Sequence, residues 1–378
     1  MAAFFASIPA MIVLTGALVG IAASLVGTFL VLRRNAMLSD AISHSIVFGI
    51  VVVWLLTRQA SGPVQILGAA LAGLLTVFLT ELLVSSRKVK NDAAIGLVFS
   101  VLFAAGVLLL NLYARDVHID THTVLLGEIG FVWLDTIAIA GVEVPQAVLW
   151  MSLVTLANAV FVGLFFKELK LATFDPQLAQ ALGFAPTALF YALLALTSVT
   201  AVAAFDAVGA VLFIAFVIIP PAAAYLLTDR LALMLVIAAL IAVVSSFAGY
   251  GLAVRFDVSI GGMMAVMTGV FLALAFLFGP RYGLVAQALR AWRRRWLDEL
   301  RALVVHLHDH EDTRFRAEEN VVSALEEHLR WSPAKATAVL ARGRRDGLVA
   351  ADGDHLHLTP KGRALALELT EPWRRAAA

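Results

Sequence analysis

Asp40 and His44 lie four residues apart in the stretch Ser39-Asp40-Ala41-Ile42-Ser43-His44. On a helix that spacing puts both side chains on one face. A carboxylate and an imidazole directed at one point supply two of the ligands that a divalent cation takes. The same pair could instead handle a proton, or close on itself as an Asp–His hydrogen bond that fixes a helix contact. The residues that follow are apolar, and ionisable groups inside an apolar span are costly and usually face an interior or an aqueous path. Ser39 and Ser43 beside the pair are candidates for the lining of such a path.

A second group of ionisable residues comes late in the chain, as His306, His308, Asp309, His310, Glu311 and Asp312. His306 and His310 are four apart and could share a cation. A solvated, acidic, histidine-rich helix end is the plainer reading of all three histidines. The chain has no Cys, so disulfides, thiolate nucleophiles and Cys-ligated metals are excluded. Any metal must be held by oxygen and imidazole. No Gly-rich loop ending in Lys-Ser/Thr occurs, so ATP, if it powers this protein, is bound on a separate polypeptide.

The elements that position these residues follow from the uneven chemistry of the 378 residues, 61% of them hydrophobic and 15% charged. A soluble domain carries about 45–50% apolar and ~25% charged residues. Residues 1–280 hold 11 Lys/Arg and 13 Asp/Glu, whereas the far shorter 281–378 holds 17 and 14. The first part therefore reads as a membrane domain and the second as a soluble one. Apolar runs long enough for spanning helices occur near 10–32, 42–57, 64–84, 93–113, 147–166, 186–205, 207–227, 231–254 and 260–279. Only Phe205-Asp206 divides the pair 186–227, which leaves eight or nine spans. The first run lacks a basic start and is too long for a signal peptide, so it counts as a helix. Small residues repeat every four positions at Gly16, Gly20, Ser24 and Thr28, at Gly68, Ala72, Thr76 and Thr80, and at Gly96, Ser100 and Ala104. That spacing lets helices approach closely in lipid. Pro220 and Pro221 remove backbone donors from the seventh run and predict a broken helix there, either a kink or a lining of the pathway.

Basic residues cluster at alternate loops: Arg33 and Arg34, then Arg87, Lys88 and Lys90, then Lys167 and Lys170, then Arg281, Arg290 and Arg293-Arg294-Arg295. Lys and Arg in short loops mark the cytoplasmic side. With nine spans they all fall there, the N-terminus lies outside, and 114–146, with Asp116, His118, Asp120 and His122, faces outward. Its apolar part, 123–141, could lie on or dip into the membrane. On the basic side, Asp175 is an N-cap, Pro176 occupies the first helical position and Gly183 is a C-terminal stop. A short helix is thus encoded between two spans, either an ordinary surface helix or a docking peg for a partner.

Residues 281–297 form a basic and aromatic connector, with Trp292 and Trp296 beside the Arg run as anchors at the lipid interface. In 298–378 a helix over 298–312 carries Leu300, Leu303, Val304 and Leu307 on one face, and a second spans 318–329. Ser332 and Pro333 then open a third, running to about Arg345. Two short strands flank Asp352-Gly353-Asp354, and Thr359-Pro360 opens the last helix. This order is the plan of a winged helix-turn-helix. The fold class expected is an all-α polytopic membrane bundle followed by a small α+β winged-helix domain. If the latter bound DNA, Lys335, Arg342, Arg344 and Arg345 would meet it. The near-neutral charge of the domain favours contact with protein instead.

The stretches FLVLRRNAMLSDAISHSIVFGI, NDAAIGLVFSVLFAAGVLLL, LLGEIGFVWLD, ATFDPQLAQALGF and AVGAVLFIAFVIIPPAAAYLL resemble, in order and over roughly 10–280, the permease subunit of manganese/zinc/iron-type metal ABC transporters. The resemblance implies a bacterial inner-membrane importer of divalent metal without a permanently bound cofactor. It implies a dimer with a second permease copy, two cytoplasmic ATPase subunits and an external metal-binding protein. It further implies that Asp40 and His44 coordinate the metal in transit. The short helix, with Phe174, Asp175, Pro176, Leu178, Ala179 and Gly183, would couple to the ATPase. Two departures bear on the metal: Ser39 stands where the family commonly has Gly, and Ala223 where Thr is common. The stretch RRDGLVAADGDHLHLTPKGRALA resembles the wing of bacterial metal-dependent repressors. Two other functions compete, a membrane-tethered, metal-responsive DNA-binding regulator and a permease for a chelated organic cofactor.

Overall fold

The computed structural model describes residues 7–58, 63–113, 129–139, 142–313 and 316–370. The chain divides into two compact units, Met1–Gly283 and Leu284–Ala378. The segment with Asp116, His118, Asp120 and His122 lies outside the described residues.

In the first unit the long helices are α1 (Ile8–Leu32), α2 (Met37–Thr57), α3 (Pro63–Ser85), α4 (Asn91–Tyr113), α5 (Gln146–Leu164), α8 (Pro186–Leu227), α9 (Leu231–Phe256) and α10 (Ile260–Phe278). All eight are long and apolar enough to cross a membrane. Between α4 and α5 the described residues form a 3-10 turn, Ile129–Phe131, and an antiparallel pair, β1 (Thr136–Ile139) with β2 (Val142–Pro145). The apolar stretch expected to lie along the membrane is thus partly a hairpin, whose Thr136 pairs with Pro145. Two short helices, α6 (Phe166–Phe174) and α7 (Pro176–Ala181), connect α5 to α8.

The 42 residues of α8 settle the span count. Drawn out straight they would reach ~63 Å, about twice the hydrocarbon thickness. Yet both ends of α8 return to the same end of α1. Arg33, which caps α1, lies 4.1 Å over the Phe190 ring near the start of α8, and Leu32 packs on the cluster that holds Ala224 near its finish. The middle lies at the opposite end of the bundle, where Val208 and Leu212 meet Gly261 and Ile129. The chain turns at Gly209, whose φ of 78° and ψ of 169° are non-helical and suit glycine almost alone. Residues 186–208 and 210–227 are therefore separate crossings, and the described helices make nine.

The break differs from the one expected at Pro220-Pro221. The helix runs through both prolines, which are buried. A proline there frees the carbonyl four residues earlier, so Pro221 frees that of Val217. Gly27 of α1 is packed directly on this carbonyl, and a Cβ built there would collide with it. The helix continues past both prolines with α1 packed against the freed carbonyl.

Packing inverts the pattern of a water-soluble core. Thr15, Ser24, Thr28, Asn158, Thr197 and Ser198 are buried, while Leu71, Phe78, Leu97, Val101, Leu153, Leu240 and Phe247 point outward. Thr15 and Thr28 donate back into their own helix, to Met11 O (2.8 Å) and Ser24 O (2.7 Å), and need no partner elsewhere, whereas Ser198 reaches Ala70 O of α3 at 3.3 Å. Asn158 crosses as well, donating to Ala22 O (3.2 Å) and Thr200 Oγ1 (2.9 Å). Two small-residue rows pack within the chain. Gly16 faces Met264, Gly20 faces Ala242, and Gly68 is closed over by Val53. The third does not: Gly96 has no neighbour for a Cβ, and Ser100 and Ala104 are exposed.

The second unit comprises α11 (Leu284–Asp309), α12 (Arg316–Glu319), α13 (Val322–His328), α14 (Pro333–Arg345), β3 (Val349–Asp352), β4 (His355–Leu358) and α15 (Pro360–Thr370). Leu300, Leu303, Val304 and Leu307 of α11 join Leu325, Val339, Leu340, Leu356 and Leu358 in one core. The connector expected over 281–297 divides in the structure. Arg281 and Tyr282 bind Asp229 within the first unit, while Leu284 onward is already α11. Trp296 packs against the second unit's core rather than standing free as an anchor. The helix expected over 318–329 is also broken. Leu356 N donates to Asn320 O at 2.7 Å, and Val321 bridges to His355, which takes these two residues out of helical geometry. β3 and β4 pair with Asp352 opposite His355, around a two-residue turn in which Gly353 supplies the positive φ of 62°.

Candidate functional site

Helix α2 begins at Met37, five residues earlier than the apolar run suggests, so Asp40 and His44 both lie on its first two turns. Asp40 Oδ1 is 3.4 Å from His44 Nε2, and each side chain remains about a third exposed (29% and 32%). An ion could therefore reach them. The imidazole is held from the side by α4: it stacks on Phe99 at 5.5 Å between centroids and meets the edge of Phe103 at 5.9 Å. The approach to α2 is fixed as well, because Asn91 at the head of α4 donates to Asn35 Oδ1 at 3.1 Å. Two helices thus set the position of one ring.

The flanking serines face the bundle and are buried. Ser39 Oγ donates to Ala36 O and Ser43 Oγ to Ser39 O, both at 2.7 Å. Their hydroxyls are engaged in their own helix, and the structure does not bring them onto the carboxylate–imidazole pair. Pro220 and Pro221 lie in the buried part of α8, and Ala223 beside them is fully buried. Sequence reasoning missed Phe99 and Phe103, which spacing cannot connect to His44. Glu81 contacts the Tyr191 hydroxyl across α3 and α8.

The short helix α7 is capped at both ends by local chemistry. Asp175 accepts from Leu178 N at 2.9 Å and Pro176 takes the first position. At the other end Gly183 (φ 86°) donates to Gln180 O and Phe184 to Ala179 O, both at 3.0 Å, the paired bonds of a Schellman stop. Ala179 is buried, which anchors the helix. Phe174 (60%), Leu178 (45%) and Leu182 (61%) remain exposed around it.

In the second unit the candidate cations are partly engaged. Lys335 pairs with Glu299 at 2.7 Å and lies 5.5 Å from the Trp331 ring. Arg342 lies 3.7 Å from Asp346 and 5.9 Å from the Trp296 ring. Arg344 and Arg345 are exposed. Of the three histidines at the end of α11, His306 and His308 lie on the helix and His310 just beyond it; His306 is buried, and its ring is 4.7 Å from that of His310. His310 Nδ1 donates to His306 O at 2.9 Å. His308, two residues from His306, projects from a different face of the helix. The structure instead gathers His306 with Glu319 and His328, which lie 13 and 22 positions away. Burial holds the His306 imidazole below its ordinary value, so the ring is neutral near pH 7.

Eight helices long and apolar enough to cross a membrane, one of them turning back at Gly209, mark a multi-pass membrane protein, with a partly exposed carboxylate–imidazole pair on the second. The chain belongs to the ABC 3 transport family, whose model matches residues 7–279. It is 47% identical over 356 residues to the zinc transport system membrane protein TroD of Treponema pallidum, covering 94% of this chain and 97% of that protein. It is 49% identical over 285 residues to the manganese transport system membrane protein MntD of Bacillus subtilis, covering 75% and 96%. The likeness to TroD thus runs on into the second unit, whereas the likeness to MntD takes in nearly all of that protein without it. Among solved structures, PsaBC from Streptococcus pneumoniae in complex with Fab is similar over 72% of this chain and 92% of that one, with a TM-score of 0.61 and 27% identity.

Proposed function

We propose that the chain is the permease subunit of an ATP-driven importer of divalent metal, with manganese or zinc as cargo. The observation that carries this reading is the Asp40–His44 pair, 3.4 Å apart on one helix face and open to an entering ion. One carboxylate and one imidazole suit Mn, Zn and Fe alike, and the names of TroD and MntD favour the first two. Two ligands are fewer than the four to six that these cations take. Water, or a second permease copy in a dimer, completes the shell. An external metal-binding protein would deliver the ion on the side opposite the basic loops.

The exposed apolar side chains around α7 support docking to a separate ATPase. Phe174, Leu178 and Leu182 lie next to Lys167 and Lys170, on the side that positive loops mark as cytoplasmic. ATP would be bound and hydrolysed on that partner, and the permease itself performs no covalent chemistry. Residues 284–370, four helices, a two-strand wing and a last helix, make a winged-helix domain, which would be cytoplasmic. Its role is regulation through protein contact, because Lys335 and Arg342 already have acidic partners and rings within the unit. Reconstitution with its ATPase in proteoliposomes tests the function. ATP-dependent accumulation of Mn(II) or Zn(II) is the expected result, and none for either metal contradicts it.

A further inference from the structure

His306 on α11, Glu319 on α12 and His328 on α13 converge in the second unit, and one ligating atom from each lies within 4.8 Å of the other two. The cluster is well enclosed. His306 is 8% exposed, and the Glu319 side chain 23%. His328 Nδ1 stands 2.5 Å from Glu319 Oε2, but that buried oxygen accepts no directed hydrogen bond. The residues around the cluster fix it. His306 Nε2 lies 3.3 Å from Glu319 O, and Asn320 Nδ2 donates to Leu307 O at 3.3 Å. Leu356 N closes on Asn320 O from β4.

We propose that His306, Glu319 and His328 form a second divalent-metal site, separate from the Asp40–His44 pair and of a kind that takes zinc. Two imidazoles and one carboxylate with a fourth position open make a common zinc donor set. Ligands about 2.0–2.2 Å from the ion stand roughly 3.4 Å apart in a tetrahedron, so the His328–Glu319 contact must open by about an ångström while the wider separations, up to 4.8 Å, close. His328, 41% exposed, has the freedom to move. The ion would tie α11 to α12 and α13, and through Asn320 to the strand β4. If the permease imports metal, as proposed above, the site reports the imported ion to the winged-helix unit.

The test uses the full chain carrying Asp40→Ala and His44→Ala, purified in detergent with a tag free of histidine and stripped with chelator. Titration with Co(II), read by its visible d–d bands and displaced with Zn(II), should show one tight four-coordinate equivalent. Glu319→Gln and His328→Ala, each made in that background, should lose it, while His308→Ala should keep it. Zn(II) should also raise the melting temperature of the parent and not that of the two ligand variants. A parent that binds no equivalent, or ligand variants that bind as the parent does, would overturn the site. Neither result depends on transport, so a failed uptake assay leaves this measurement intact.

Discussion

The carbonyl of Val217, left without a helical donor by Pro221, is packed against Gly27 of the first helix. This contact covers the carbonyl that Pro221 frees, and it leaves no room for a side chain. Gly27→Ala should cost about 1–3 kcal/mol, the usual penalty of overpacking. Its measure is the melting temperature of the detergent-solubilised protein, which should fall. An unchanged melt would mean that the two helices separate without loss and that the contact does not hold α8 together.

Gly209 carries the reversal between the two crossings of α8, at φ 78° and ψ 169°. A side chain is strained by about 1–3 kcal/mol in that region. Gly209→Ala should lower the yield of folded permease, measured by size-exclusion profile after extraction. A wild-type profile and melt would show that the turn does not need glycine.

Leu178→Asp and Phe174→Asp change exposed positions, where stability moves by about ±0.5 kcal/mol. The permease should fold but lose its ATPase, seen as failed co-purification and loss of permease-dependent ATP hydrolysis. Asp175→Ala, which removes a cap worth ~1 kcal/mol, should weaken the same assembly. Retention of the ATPase by all three variants would move the docking surface elsewhere.

The second unit should show no sequence-specific binding to duplex DNA in fluorescence anisotropy at ~150 mM salt, where phosphate contacts alone are weak. Specific binding by the full chain, lost in Arg344→Ala and Arg345→Ala together, would restore the reading as a membrane-tethered regulator.

The parts that were legible in the sequence are local ones. Asp40 and His44 share a face because they are four apart, and α7 is written in Asp175, Pro176 and Gly183, all within nine residues. The apolar runs gave the crossings to within a few residues because lipid demands length and hydropathy, not a specific partner. The misplaced features depend on distant neighbours. Proline was the louder signal in α8, yet its effect is absorbed by Gly27, about 190 positions away, and the true break falls at a single glycine. The row Gly96, Ser100 and Ala104 has the spacing of a packing face, but among the described residues nothing lies against Gly96, and Ser100 and Ala104 are exposed. The positions of Phe99 and Phe103 around His44, and of Glu319 and His328 around His306, are products of packing that no periodicity encodes.

On the proposed pathway, metal passes by way of Asp40 and His44. Cellular uptake of radiolabelled Mn(II) and Zn(II) tests it directly, with Asp40→Asn and His44→Ala compared at equal levels of assembled complex. Each should reduce uptake at least ~10-fold, the scale set by loss of ligation at a metal site. Wild-type uptake of both metals in both variants would contradict the account.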